Sequence, residues 1–112
     1  MAQVDKQSVE LPRELAQQVR LALEFHRWSG TAEGVTAGET IYADNYSRLR
    51  GDTLKIQQLC ASVERSLAGR LPGEAQTLFT AGRMYRRSAD YVKAREYFLR
   101  ALEIVYRECR CA

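Results

Sequence analysis

The sequence predicts an all-α protein of four helices, with one long central helix over about 39–68 and a helical hairpin at the C-terminus. Three observations carry this. The only two prolines, Pro12 and Pro72, both stand beside predicted helix starts. Runs that alternate apolar and polar residues, the mark of half-buried strands, are almost missing. Through the predicted helices, apolar residues recur instead at intervals of three and four.

Residues 1 to 10 are polar and without period and read as a flexible leader; 11–112 then form a single helical interaction domain. Pro12 sits in a first helical turn, where a missing N–H costs nothing, and Glu14 favours the positive helix end. Leu15, Val19, Ala22 or Leu23, and His26 continue at helical spacing, giving a helix over 12–29 that stops at Ser29-Gly30. Gly30 to Gly38 holds three glycines and two threonines and reads as a flexible loop.

The long helix rests on a stripe. Tyr42, Tyr46, Leu49, Thr53, Ile56, Cys60, Val63 and Leu67 fall at spacings of 4,3,4,3,4,3,4, which keeps one face toward a neighbouring helix over roughly 45 Å. Gly51 interrupts it at about 1 kcal/mol relative to alanine, and Asp52-Thr53 offers a new cap. The unbroken register favours continuity. Gly69 ends the helix, and Leu71-Pro72-Gly73 turns into the hairpin, whose helices are expected over 74–87 and 90–108.

The composition excludes several classes. A chain 46% hydrophobic and 28% charged is not disordered wholesale, and a net charge of +3 is too small to argue for nucleic acid. No apolar run approaches a membrane span, and the first residues lack a signal peptide's basic and greasy regions, so membrane insertion is not expected and the location is read as cytoplasmic or nuclear. Three cysteines fit reduced thiols.

Along the hairpin, counting Ala75 as the first position, Gly82, Tyr85, Ala94, Phe98 and Ala101 fall on the Gly, Tyr, Ala, Phe and Ala positions of a tetratricopeptide repeat (TPR), with Leu78 where that family often has Trp and Ala81 where Leu is usual, and the segment over 75–108 resembles one such unit. Tyr106 stands where that family has a terminating proline, and no second copy is evident upstream. The resemblance implies a four-helix, TPR-like bundle in which the first two helices replace the missing neighbour repeats. It implies a non-catalytic scaffold or protein-interaction module whose ligand-facing positions fall on Gln76, Phe79, Arg83, Arg86 and Arg87. Three arginines beside one aromatic suit an acidic or carboxylate-ended peptide, or else they solvate an outer face. The segment Ala89 to Ala94, with Tyr97 and Ala101, also resembles the first hairpin of microtubule-interacting and trafficking (MIT) domains, which implies an adaptor docking a helical tail.

The stripe likewise has two roles open: intramolecular core, or a seam for a homodimer or partner helix through Tyr42, Tyr46, Leu49 and Ile56. His26, beside Trp28, has no companions at metal or general-base spacing, and Cys109-x-Cys111 with Cys60 lacks a knuckle spacing. No catalytic residue, metal ligand or cofactor site is therefore assigned. A nucleic-acid-associated helical domain has Arg48, Arg50 and Lys55 in its favour, but their interleaving with acidic residues and the lack of a reading motif count against nucleic acid as a partner.

Overall fold

The computed structural model describes residues 10–27 and 46–111. Four helices make up the body: α1 (Arg13–Arg27), α2 (Tyr46–Ser66), α3 (Gly73–Arg87) and α4 (Tyr91–Glu108). Two short strands, β1 (Glu10–Leu11) and β2 (Arg110–Cys111), pair in parallel, Glu10 opposite Arg110 and Leu11 opposite Cys111. The expected leader therefore loses its last residue to β1. Leu11 is fully buried, and that burial fixes the entry into α1.

The protein is an all-α bundle, as expected, and its hub is α4. This helix packs against α3, α2 and α1 in turn, while α1 also meets α2. Its small residues explain why it can: Ala94 and Ala101 are fully buried beside Phe98, Leu102 and Val105, so neighbouring backbones come close on more than one side. The stretch 39–45 of the expected long helix lies outside the described residues. From Tyr46 onward α2 runs unbroken through Gly51, and Leu49, Thr53, Ile56, Cys60, Val63 and Leu67 are all buried. Over these residues the stripe is intramolecular core.

Polar bonds tie the helices at specific points. The buried Thr53 hydroxyl donates to the Leu49 carbonyl at 2.8 Å and lies 3.3 Å from the Tyr91 carbonyl, linking α2 to the first turn of α4. The Cys60 Sγ sits 3.9 Å from the Phe98 carbonyl. Asp90 caps α4, its carboxylate accepting from the Lys93 N–H at 3.2 Å.

The α3–α4 turn is tight because α3 ends in a Schellman-type pair of bonds. The Asp90 N–H donates to the Tyr85 carbonyl and the Ala89 N–H to the Arg86 carbonyl, both at 2.9 Å. That geometry puts Ala89 at φ 63, a left-handed conformation in which glycine is the usual occupant. Inside the hairpin, Gly82 faces Phe98 so closely that a Cβ added there would lie 2.7 Å from the ring carbons Cδ1 and Cε1. The small residue is what allows the helices to cross at that distance.

Candidate partner-binding face on the closing hairpin

The helical phase of α3 divides its residues into two rows. Ala75, Phe79 and Gly82 are buried, and Arg86 continues that row into a half-buried position. Gln76, Thr80, Arg83 and Arg87 form a second row, offset by about 100° per residue, on the side not covered by α4. Gln76, Thr80 and Arg87 are exposed and Arg83 is half-buried.

Phe79 therefore has to be corrected as a ligand-facing residue. It is wholly buried, because it lies one turn after Ala75 and shares its inward direction. Arg86 is also set apart from the exposed row: its Nε is buried and has no hydrogen-bond partner among the described residues. Gln76, Arg83 and Arg87 are the sequence-predicted residues that share one accessible face.

Arg83 is held in place. Its Nη1 donates to both carboxylate oxygens of Glu64, at 2.7 and 2.9 Å, and its Nη2 reaches the Thr80 hydroxyl at 3.3 Å. The pair joins α2 to α3 with the two side chains 25% (Glu64) and 36% (Arg83) exposed, so water screens much of its attraction. Its value is orientation of the guanidinium. No local spacing pointed to Glu64, which stands nineteen positions upstream of Arg83. Beyond Arg83, Met84 projects outward with 62% of its surface exposed, the most exposed large apolar side chain among the described residues.

The opposite flank of the hairpin carries a feature not foreseen. The Tyr85 and Tyr97 rings stack at 5.2 Å and 16°, with the Lys93 ammonium 5.4 Å from the Tyr85 centroid and the Arg100 guanidinium 5.4 Å from that of Tyr97. The i, i+3 spacing of Tyr97 and Arg100 is the one local signal of it in the sequence. Glu96 pairs with Arg100 at 3.4 Å.

The other candidates separate clearly. Leu49 and Ile56 are buried within the fold, Tyr46 opens α2, and Tyr42 lies outside the described residues. His26 falls in α1, and Trp28 lies outside the described residues. Cys60 and Cys109 are buried, and burial, reinforced by the nearby Glu64 carboxylate, pushes the Cys60 thiol well above its ordinary range. Among the described residues, no group of three or more His, Cys, Asp or Glu side chains is placed to hold a metal ion. None of the described helices is long and apolar enough to cross a membrane.

Fold and surface together define a small all-α helical bundle with an arginine-bearing outer face on its third helix. No protein-family model, curated protein or solved structure matches the chain.

Proposed function

We propose that this protein is a non-catalytic interaction module, TPR-like in its closing hairpin, that holds an acidic segment of a protein partner along α3. The observation that carries the reading is the alignment of Gln76, Arg83 and Arg87 on the outward side of α3, with Gln76 and Arg87 exposed and the half-buried Arg83 oriented by Glu64 of α2. Arginine offers a planar fork of donors matched to carboxylates, and a fork held in position loses less entropy on binding. Met84, about 60° around the helix from Arg87, adds one exposed apolar contact beside the row for a partner side chain.

The reading is tested by fluorescence anisotropy with a labelled peptide of alternating glutamate and glycine. Binding should weaken as salt rises and should fall at least about tenfold, roughly 1.4 kcal/mol, in Arg83→Ala/Arg87→Ala, with unchanged circular dichroism. Affinity indifferent to both salt and these substitutions refutes it.

A further inference from the structure

We infer that the outer face of α2 is a second interaction surface, separate from the α3 row, and that it takes the phosphodiester backbone of a nucleic acid without reading its sequence. The linear sequence obscures this, because Asp52 and Glu64 are interleaved with the cations of the helix. Folding sorts them. Among the described side chains of α2, the exposed ones are Ser47, Arg48, Arg50, Lys55, Gln58 and Arg65: four cations, a hydroxyl and an amide, with no carboxylate. Asp52 and Glu64, the only acids in the helix, are half-buried, and Glu64 is turned toward Arg83 of α3.

Some cations on the other helices are paired and some, such as Arg13 and Arg87, have no carboxylate partner among the described residues. In α1, Arg20 pairs with Glu24, and in α4, Arg100 pairs with Glu96 and Arg107 with Glu108. Among the described residues, Arg50, Lys55 and Arg65 have no carboxylate partner; Arg65 bonds only to the Ser62 hydroxyl, at 3.2 Å. At 100° per residue they lie within an arc of about 140° opposite the buried stripe, and from Arg50 to Arg65 they extend over about 22 Å. That is the length of several consecutive phosphates.

Gly51 lies on the same side, and a Cβ built there would meet nothing within 4 Å. No internal contact therefore asks for glycine, whereas a backbone approaching the helix would use the missing side chain. A membrane surface fits less well, since among the described side chains of this face none is a large exposed apolar one, and an acidic protein is an outcome the test separates.

Anisotropy with the whole chain and two fluorescein-labelled probes of mixed sequence, a DNA duplex and an RNA duplex of twenty base pairs, tests the assignment and tells its two sources apart. Each neutralised phosphate contributes a slope of about −0.9 to log K against log salt on duplex DNA. Arg50→Gln/Lys55→Gln/Arg65→Gln, whose sites are exposed and remote from the core, should reduce that slope by about 2 to 3 and lower affinity more than about thirtyfold near 0.1 M salt. Unrelated sequences of the same probe should bind alike. No wild-type binding to either probe, an unchanged slope in the triple variant, loss confined to Arg83→Ala/Arg87→Ala, or equal displacement by polyglutamate of matched charge each overturns the proposal. A triple variant that still binds the glutamate–glycine peptide shows the two faces acting independently.

Discussion

Two glycines inside helices should respond to the same substitution with opposite signs. In both Gly51→Ala and Gly82→Ala the helix gains about 1 kcal/mol of intrinsic propensity, because glycine has the larger backbone entropy to lose. At Gly51 the new methyl enters open space, so the whole gain should appear as stability. At Gly82 it arrives 2.7 Å from two Phe98 ring carbons and 3.1 Å from a third, and Phe98 is fully buried in the hub helix. Overpacking of this kind costs about 1–3 kcal/mol, which at least offsets the propensity gain.

Because the propensity contribution is common to both variants, the difference between them isolates the packing cost at about 1–3 kcal/mol. With about 2.1 cal/mol/K of unfolding entropy per residue over 112 residues, 1 kcal/mol corresponds to about 4 °C. Thermal melts followed by circular dichroism should therefore place Gly51→Ala about 4 °C above the wild type and Gly82→Ala below Gly51→Ala by about 4–12 °C. Gly82→Ala/Phe98→Leu should recover part of the methyl clash relative to Phe98→Leu alone. If Gly82→Ala is as stabilising as Gly51→Ala, the close crossing of α3 and α4 is not what selects glycine, and the packing argument fails.

Two further tests probe the turn and the core. Ala89→Gly relieves a left-handed conformation that costs a non-glycine residue about 1–2 kcal/mol, and after glycine's own entropy it should raise stability by about 0.5–1 kcal/mol in urea unfolding; a loss refutes the cap assignment. Cys60 has its folded pKa raised, so the stability tied to its neutral thiol is fully present below the ordinary value of 9.0 and declines above it, as the unfolded chain sheds a proton that the folded one keeps. Unfolding free energy measured from pH 8 to 10.5 should fall more steeply in the wild type than in Cys60→Ala, and parallel curves refute it.

Much of the architecture was legible because it rests on helical periodicity. Leu49 through Leu67 recurs in unbroken register, and Gly51, which threatened to split the helix, does not. The boundaries at Pro12 and Pro72 came from proline's fixed φ and missing N–H, and the one at Gly69 from glycine's access to the left-handed conformation it adopts there, φ 79. Two things could not be read this way. The strand pairing of Glu10 with Arg110 depends on tertiary proximity, and two residues carry no periodic signal. On the candidate face, Phe79 was misplaced because a family position names a residue's register without saying which side its neighbours cover. The Arg83–Glu64 pair depended on how α2 and α3 are set against each other. The same arrangement conceals the charge pattern of α2, since acids and bases adjacent in sequence are separated around the helix circumference.

The parallel pairing of Glu10–Leu11 with Arg110–Cys111 also bears on how the domain is made. Its partners stand 100 positions apart, 110 minus 10, and closing such a loop carries an entropic cost that only a nearly finished structure can offset. The hub helix α4 follows α1, α2 and α3 in chain order, so these three emerge from a ribosome before the surface they share. The surface that α1, α2 and α3 share is thus supplied after all three, and the β1–β2 ribbon, which brackets the four helices in sequence, closes over a bundle that already contains α4.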